Sequence, residues 1–460
     1  MAVDLVQSVG TGAVPAGPRG APVVGSLLDL RKDPLRTLYD AMLRYGDVVR
    51  FAGGAGAMRV EAFGLFSPEG AHHVLAAASD AYGKLGPTFQ AVRDLLGNGL
   101  LTSEGEEWRR QKRMVQPLFT HRRVAGYVPM MVEEADILIR SWADAAGSRT
   151  VDLHRDMTTA TLRVVGRVLF GADVDHAVEV LHDPVPYLSQ RAVRRALSPV
   201  KVPASWPTPA NRKAARYHEA MHGVVDDMIA SRRGSQAGGD DLLSLLLGAQ
   251  DPENGQGLTD AEVHDQALIF LLAGHETTAT SLTFTLHLLG HHPEAERRVH
   301  EEVRDVLGGG DPTLEGTMAL QYTTMVVKEA MRLYPAAYRI PRVPAGDEVF
   351  EGYRIPAGAP VMTSPWVTQR HPRHWDAPAR FDPGRFTPDR EKARHRYAYF
   401  PFGGGPRACI GQYFSMLEAV LIVARLVQAF EVTTTERAVP LATGITLRPA
   451  AAMPASVTLR

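Results

Sequence analysis

The spacing of apolar and polar residues predicts a mainly helical chain. Between residues 106 and 333, apolar side chains recur at helical spacing in EEADILIRSWADAA, HEAMHGVVDDMIASRR, HDQALIFLLAGHETTATSLTFTLHLLG and EAERRVHEEVRDVLGGG. This period places them along one side of a helix. Residues 414–430 are almost continuously apolar, which predicts one further, buried helix.

Strand patterns flank this helical body. In residues 47–54 (DVVRFAGG) and 57–64 (AMRVEAFG), apolar and polar side chains alternate with a period near two. Patterns typical of strands occur again at 347–364 and in the last 30 residues. The fold class predicted is therefore mainly α with a small β-rich lobe.

Three segments are predicted to be irregular. Residues 1–17 are rich in glycine and proline and are expected to form a flexible leader. Residues 183–209 carry six prolines and are expected to break the helical body, where a mobile lid is one interpretation. Residues 231–241 (SRRGSQAGGDD) are expected to form a flexible loop.

Composition is that of a soluble globular protein. The 460 residues are 45% hydrophobic and 22% charged, with a formal net charge of -1, so the bulk charge indicates no nucleic-acid partner. Without a repeat or a sharp compositional shift, we expect one domain over 1–460 with no fused reductase. The N-terminus has no signal-peptide pattern, and the most apolar runs, 268–274 and 419–427, are shorter than the roughly 20 residues that span a bilayer. We therefore expect no stable membrane anchor.

The single cysteine, Cys409, lies in FPFGGGPRACIGQYF at the start of the predicted helix 414–430. One cysteine forms no internal disulfide, which favours a reducing, cytoplasmic setting. Backbone N–H groups at a helix N-terminus favour the thiolate, the form that ligates iron. The glycines allow a flat group to approach the backbone, and Arg407 provides a cation for a carboxylate. The alternatives are a buried, inert cysteine or a phosphate-binding loop, but the lysine and serine or threonine of a P-loop are missing.

A second polar motif interrupts the most apolar predicted helix. Residues 273–278 read AGHETT, which places Glu276 beside Thr277 where buried polar groups are costly. A solvent-facing patch is the alternative. The zinc motif H-E-x-x-H is excluded because position 279 is alanine.

KEAMRLYP places Glu329 and Arg332 three residues apart on one helix side, where they can pair. The same spacing recurs elsewhere in the chain, so it carries weight only together with Pro335 and the later segment that contains Arg385.

Together these motifs resemble the cytochrome P-450 family of haem-thiolate enzymes, over roughly residue 18 to the C-terminus. The resemblance implies haem b between the central helix and the cysteine-loop helix, with Cys409 as the iron ligand and Phe402, Gly403 and Gly411 shaping its loop. It implies that Glu276 and Thr277 organise proton delivery and that Ala273 and Gly274 lie at the haem, Gly274 leaving room for it.

By the same resemblance, Glu329, Arg332 and Arg385 form a buried charged cluster that holds the cysteine loop. Trp108, Lys112, Arg342 and Arg407 are the expected partners of the haem carboxylates, although lysine at position 112 replaces the more common arginine or histidine. For Arg342 a surface position is the alternative.

The implied reaction is monooxygenation of an apolar small molecule, such as a terpene, a polyketide, a fatty-acid-like chain or another secondary metabolite. It consumes O2 and a pair of electrons, which originate from NAD(P)H and arrive through a separate ferredoxin and its reductase. A peroxide-using hydroxylase, a haem isomerase and a haem-based sensor are the alternatives. The expected substrate pocket consists of Phe89, Phe270, Ala336, Ala337, Tyr338, Thr443 and Ile445.

Overall fold

The structure is a computed structural model that describes residues 12–21, 25–54, 59–145, 150–171, 175–196, 198, 202–234 and 241–460. These residues form two compact units. The first, here called the sheet unit, comprises the chain up to Thr88 together with Arg339–Pro378 and His395–Ala408. The second, the helical unit, comprises Phe89–Tyr338, Ala379–Arg394 and Cys409–Arg460.

Helices dominate, as the apolar periodicity predicts. They are α1 (Leu27–Lys32), α2 (Pro34–Tyr45), α3 (Pro68–His72), α4 (Pro87–Leu96), α5 (Gly105–Val115), α6 (His121–Ala125), α7 (Val128–Ala145), α8 (Leu153–Phe170), α9 (Asp175–Leu181), α10 (Pro184–Ala196), α11 (Pro209–Gly234), α12 (Leu242–Leu247), α13 (Asp260–Gly290), α14 (Pro293–Leu307), α15 (Leu314–Ala319), α16 (Gln321–Leu333), α17 (Pro365–Thr368), α18 (Pro388–Ala393) and α19 (Gln412–Ala429). Short π or 3-10 turns lie at His73–Ala77, Ser79–Ala81, Gln116–Phe119, Pro383–Phe386, Arg396–Ala398 and Gly405–Arg407.

The strands are short and distributed over both units. They are β1 (Val48–Gly53), β2 (Val60–Leu65), β3 (Tyr82–Gly83), β4 (Val151–Asp152), β5 (Ile340–Pro344), β6 (Glu348–Phe350), β7 (Tyr353–Ile355), β8 (Val361–Thr363), β9 (Phe430–Thr434), β10 (Leu441–Thr443), β11 (Leu447–Pro449) and β12 (Pro454–Leu459). The prediction of a mainly α fold with a small β-rich part is confirmed.

The sheet unit is built on five strands in the order β1-β2-β8-β5-β3. β1 and β2 lie in the two segments whose alternation predicts a small sheet; they pair antiparallel, and β8 joins β2 in parallel. Val49 and Phe51 alternate along β1 onto one side of the sheet and are fully buried against Leu38 and Met42 of α2. This side of the sheet and α2 therefore share one core.

Part of the predicted flexible leader is fixed in the sheet unit. Ala13 pairs with Tyr353 in an isolated bridge, and the N–H of Arg50 donates to the carbonyl of Ala16 at 3.0 Å. The described end of the leader is therefore held by backbone hydrogen bonds, contrary to the expectation for residues 12–17. Residues 1–11 lie outside the described residues.

The helical unit is organised around α13, a helix of 31 residues and thus about 46 Å in length. A reciprocal capping box starts it: the Thr259 hydroxyl accepts from the N–H of Glu262, and the Glu262 carboxylate accepts from the N–H of Thr259 at 2.9 Å. α8 packs closely against it, where the Thr161 hydroxyl donates to the carbonyl of His275 at 3.1 Å.

The hairpin of β10 and β11 is fastened to the helices around it. The N–H of Leu447 donates to the carbonyl of Ala336, and the Leu447 carbonyl accepts from the hydroxyl of Thr280 on α13 at 3.1 Å. In its turn, the N–H of Ile445 donates to the hydroxyl of Ser189 on α10 at 2.9 Å. The hairpin therefore has a fixed position beside the middle of α13.

The predicted break over 183–209 is wrong for its first half. α10 occupies Pro184–Ala196 because both of its prolines fall in the first turn, where a helix needs no donor from the proline nitrogen. Residues 197 and 199–201 lie outside the described residues, as do 235–240 of the predicted loop, whose first four residues complete α11. None of the described helices is long and apolar enough to cross a membrane.

The capping box gives a stability test for α13. Thr259→Ala removes the side-chain acceptor for the N–H of Glu262, and we expect a loss of about 1 kcal/mol in the free energy of unfolding. Thr259→Ser keeps a hydroxyl at the same place and serves as the matched control. Urea unfolding followed by circular dichroism measures both, and equal stability of the alanine and serine variants would contradict this role of the cap.

Candidate active site

The middle of α13 has an uncovered side within an otherwise buried helix. Residues 266–272 and 278–289 are buried, whereas Ala273 is exposed and Thr277 is half-buried. Four residues separate these two, so they lie on the same helix side. The Thr277 hydroxyl donates to the carbonyl of Ala273 at 2.8 Å. The AGHETT segment thus presents a small apolar surface with one hydroxyl at its edge.

Gly274 has a packing role that the sequence did not predict. A Cβ atom built on Gly274 would lie 3.0 Å from a methyl carbon of Val165 on α8. The missing side chain therefore allows α8 to approach α13, and the room that Gly274 leaves for the haem stays a prediction. Ala273 provides the uncovered surface.

His275 is a packed residue. It is 2% exposed, and its Nδ1 lies 2.6 Å from the carbonyl of Leu271. Burial lowers the pKa of His275 to about 4, so the ring is neutral at pH 7.

Glu276 carries a carboxyl group with perturbed acidity. Burial raises the pKa of Glu276, and the Thr446 hydroxyl and the Arg448 guanidinium partly offset this increase. Arg448 belongs to β11, far from Glu276 along the chain, and burial lowers its own pKa. The sequence gives no signal for this pairing because hairpin contacts of this range have no periodic pattern.

A second buried carboxyl group was also missed. Glu418 on α19 is fully buried, and burial raises its pKa well above its ordinary value. It lies near Thr278, whose hydroxyl is 3.0 Å from that of Ser415 and donates to the carbonyl of Gly274. An isolated glutamate in the apolar run 414–430 was the available signal.

Cys409 precedes α19, whose N-cap is Gly411. The thiol is free and exposed. Although the residue is exposed at the surface, the protein atoms around the sulfur partly desolvate it and raise the pKa of Cys409, and the N–H of Gly411 lowers it by a smaller amount. The N–H of Gly411 thus acts in the direction that the helix N-terminus predicts, and the thiolate at Cys409 stays a prediction. A Cβ atom on Gly411 would lie 4.0 Å from the sulfur, so this glycine keeps the approach to the thiol open.

The preceding part of the loop belongs to the sheet unit. Gly403 and Gly405 have φ of 71° and 65°, and a Cβ on Gly405 would lie 1.8 Å from the carbonyl oxygen of Leu75. Phe402 and Arg407 are half-buried on this loop. The glycines are thus required by the backbone conformation itself.

The remaining predicted haem partners have defined positions within their units. In the helical unit, Trp108 and Lys112 lie on α5, and the Lys112 ammonium is 5.1 Å from the centre of the Trp108 ring. In the sheet unit, Arg342 lies on β5 and is only 6% exposed, so it is not a surface arginine. Its guanidinium donates to the carbonyl of Pro341 at 2.8 Å.

The structure brings Glu329, Arg332 and Arg385 together. The Arg332 Nε donates to the Glu329 carboxylate at 2.6 Å, its Nη2 donates to the other oxygen at 2.8 Å, and the Arg385 Nε lies 3.4 Å from the same carboxylate. The side chains of Glu329 and Arg332 are fully buried. The N–H of Asp382 also donates to Glu329 at 2.9 Å, so the cluster joins α16 to the start of the 3-10 turn Pro383–Phe386.

The predicted pocket residues differ in the surface they offer. Phe89, Phe270 and Ala336 are buried, and Phe270 packs edge to face against Phe119 with ring centres 5.2 Å apart. Ala337, Thr443 and Ile445 are half-buried. Tyr338 is fully buried, and its hydroxyl donates to the carbonyl of Gly444 at 3.2 Å. It therefore offers no surface to a substrate, which corrects its expected place in the pocket.

The residues of the helical unit fit the haem that the resemblance implies. Cys409 provides an accessible sulfur with no competing disulfide, and Gly411 leaves the space beside it clear. Ala273 provides an exposed apolar surface on a helix that is otherwise buried. An iron ligand and a flat apolar contact are the features that a porphyrin requires.

The chain is similar to proteins of known activity over nearly its whole length. Residues 15–453 match the profile of the family described as Cytochrome P450. Cyclooctat-9-en-7-ol 5-monooxygenase of Streptomyces melanosporofaciens is 37% identical over 410 residues, covering 89% of this chain and 87% of that protein. Pentalenene oxygenase of Streptomyces avermitilis is 34% identical, covering 90% of each. The crystal structure of the cytochrome P450DA heme domain has a TM-score of 0.88 and 28% identity, covering 98% of both chains.

The charged cluster gives a test with a matched control. Glu329→Ala leaves two buried arginine side chains without their carboxylate, and we expect it to reduce the free energy of unfolding by about 3 to 5 kcal/mol. Glu294→Ala breaks a pair of the same spacing, between Glu294 and Arg297, whose side chains are exposed, and should cost far less because water screens the pair. Urea unfolding measures both, and similar losses would contradict a special contribution of the buried cluster.

Proposed function

Because the chain belongs to the cytochrome P450 family, we propose that Cys409 holds haem b and that the enzyme oxidises an apolar, carbocyclic molecule of the terpene class. The family uses haem b with a cysteine thiolate and O2, and NAD(P)H supplies electrons through redox partners. The chain is thus a haem-thiolate monooxygenase acting on an apolar small molecule. The observation that carries the assignment of the ligand is that the only cysteine has an exposed thiol beside the N-terminus of α19.

The other haem partners in this proposal act by charge and shape. Arg407, Arg342, Lys112 and Trp108 bind the haem carboxylates, since three are cations and the indole is a hydrogen-bond donor. Phe402, Gly403 and Gly411 shape the loop around the sulfur, and Ala273 contacts the flat surface. Haem b, when bound, supplies the activation of dioxygen. The protein positions the substrate, excludes water and controls protons.

Proton control is assigned to Glu276 and Thr277. A carboxyl group whose pKa is raised exchanges its proton closer to neutral pH than an ordinary glutamate does. Thr277 is the next residue and lies at the uncovered side of α13, where its hydroxyl can accept a proton and pass one on. The pair therefore connects a buried acid to the exposed surface of the helix.

The substrate class rests on the relatives. Two of them are named for the oxidation of cyclooctat-9-en-7-ol and of pentalenene, and each covers about nine tenths of this chain. We assign the substrate-facing positions to Phe89, Phe270, Ala336, Ala337, Thr443 and Ile445, whose side chains are apolar except for one hydroxyl. Such a lining favours a hydrocarbon with few polar groups.

The redox partners proposed are a ferredoxin and an NAD(P)H-dependent ferredoxin reductase. Arg122 and Arg123 on α6 are exposed, and they offer positive charge to an acidic donor protein. On α5, Arg110 pairs with Glu262 and Arg113 pairs with Asp251, so these two arginines offer less positive charge to a donor protein. A single cysteine suits a reducing compartment, so we place the reaction in the cytoplasm. We also propose that residues 1–460 form a single domain.

Reconstitution tests this function. The purified haem protein is incubated with ferredoxin, reductase and NADPH, or with hydrogen peroxide alone, and with pentalenene, cyclooctat-9-en-7-ol or a linear fatty acid. We expect a product with one added oxygen atom from at least one carbocycle in the ferredoxin system. Turnover with peroxide alone, or of the fatty acid alone, would contradict the proposal.

The acid and alcohol pair gives a separate prediction. Thr277→Ala should leave substrate binding unchanged but lower the product formed per NADPH several-fold, with a matching rise in hydrogen peroxide, because the hydroxyl of the proton relay is lost. Thr285→Ala is the matched control, since Thr285 makes the same bond to the carbonyl four residues earlier but is fully buried. Equal coupling in the two variants would remove Thr277 from the relay.

A further inference from the structure

The turn of the β10–β11 hairpin is bonded to side chains of two other elements. The N–H of Gly444 closes the turn by donating to the carbonyl of Thr446 at 3.0 Å. The Gly444 carbonyl accepts from the hydroxyl of Tyr338, which follows α16, at 3.2 Å. The N–H of Ile445 donates to the hydroxyl of Ser189 on α10 at 2.9 Å. The backbone of this turn is therefore positioned by side chains that are distant in the chain.

The hydroxyl of Ser189 also lies against Gly444. A Cβ atom built on Gly444 would be 2.6 Å from the Ser189 Oγ, which is too close for two atoms that are not bonded. The next nearest atoms, the backbone nitrogen of Gln190 and the carbonyl carbon of Ser189, would be 3.3 Å away. Ser189 is only 4% exposed. The missing side chain at position 444 thus allows α10 to approach the turn. The contact of Ser189 with Gly444 and Ile445 is here called the Ser189 contact.

The Ser189 contact determines the direction of the Ile445 side chain. Isoleucine is branched at Cβ and has few allowed rotamers, so its side chain follows the orientation of its own backbone. The N–H of Ile445 is part-buried and depends on the Ser189 hydroxyl as its acceptor. A shift of this N–H would therefore move the half-buried Ile445 side chain as well.

We propose that Ser189 is a specificity-determining positioning residue: through the Ser189 contact, its hydroxyl holds Ile445 in the orientation that decides which carbon of the substrate is oxidised. The inference rests on the proposed function, because it takes Ile445 as a substrate-facing position. It adds a residue of α10 that acts through Ile445. An apolar pocket distinguishes substrate orientations mainly by shape, so displacement of one wall residue changes the orientation that fits.

The rest of the hairpin is held independently of Ser189. The N–H of Leu447 donates to the carbonyl of Ala336 at 2.8 Å, and the Leu447 carbonyl accepts from the hydroxyl of Thr280 at 3.1 Å. Loss of the Ser189 hydroxyl should therefore free the turn and leave the strands in place. This makes Ser189→Ala a local change whose protein can be compared directly with wild type.

Hydrogen–deuterium exchange of the substrate-free ferric protein tests the Ser189 contact without turnover. Ser189→Ala removes the acceptor of the Ile445 N–H, so the peptide that contains the turn should exchange several-fold faster by mass spectrometry. Ser189→Thr should restore the wild-type rate. Thr313→Ala is the matched control, since the Thr313 hydroxyl also accepts a backbone N–H, from Gly316 on α15 at 3.0 Å. Exchange of the turn at the wild-type rate in Ser189→Ala would overturn the proposal.

Gly444→Ala tests the close approach of α10 to the turn. Its new methyl group would collide with the Ser189 hydroxyl, so the turn must shift and its exchange should increase. Because Ser189→Ala removes that hydroxyl, the double variant should exchange at the rate of Ser189→Ala alone. Independent effects would instead add. An additive result would contradict the close contact of Ser189 with Gly444.

Product analysis tests the effect on selectivity. The haem protein is supplied with ferredoxin, reductase and NADPH, and with pentalenene or cyclooctat-9-en-7-ol. Ser189→Ala should lower the share of the main regioisomer and raise KM several-fold with little change in kcat, whereas Ser189→Thr and Thr313→Ala should keep the wild-type product ratio. A hydrogen bond that serves stability alone would leave this ratio unchanged. An unchanged ratio and KM in Ser189→Ala would therefore overturn the positioning role.

Failure of the proposed function has a different signature. The wild-type protein would then form no oxygenated product from either carbocycle, and the selectivity role would fail with it, while deuterium exchange still reported on the Ser189 contact. If wild type oxidises a carbocycle and Ser189→Ala yields the same regioisomers in the same ratio, only the inference about Ser189 fails.

Discussion

The site depends on one constraint at α13: a long apolar helix must be buried over most of its surface yet remain uncovered at its centre. Val165 of α8 packs into the space left by Gly274, while Ala273 on another side of the helix stays exposed. The β10–β11 hairpin is bonded to α13 through the hydroxyl of Thr280, and Arg448 and Glu276 line the same cavity beside it. Packing on one side and openness on the other thus arise from neighbouring residues of one segment.

The second constraint concerns the thiol. The surroundings of Cys409 raise the pKa of its thiol. A bound iron cation stabilises the ionised sulfur directly, which couples ionisation of the thiol to binding of the cofactor. The N–H of Gly411 assists in the same direction but is the smaller effect. Binding of iron therefore stabilises the ionised sulfur, whereas the glycines of the loop allow the backbone conformation that positions it.

Sequence patterns predicted the long helices because their apolar periodicity is extended, as in α7, α11, α13, α14 and α19. The family resemblance, and not the spacing of the residues, implied the buried cluster of Glu329, Arg332 and Arg385 that the structure brings together. Sequence patterns failed where contacts between distant parts of the chain determine the local structure. α10 forms although its segment is proline-rich, β5 pairs although it contains Pro341 and Pro344, and Tyr338 is covered by the turn at Gly444. The cavity that Arg448 and Glu276 both line, and the packing of Val165 against Gly274, likewise depend on elements distant in the chain.

The central claim is that the one cysteine of this chain ligates a haem iron as a thiolate. The most direct measurement is the absorption difference spectrum of the reduced protein with and without carbon monoxide, for wild type and Cys409→Ser. The account predicts the long-wavelength Soret band of thiolate ligation in wild type and its loss in the variant with haem still bound. A wild-type band at the shorter wavelength of nitrogen ligation, or an unchanged long-wavelength band in Cys409→Ser, would contradict it.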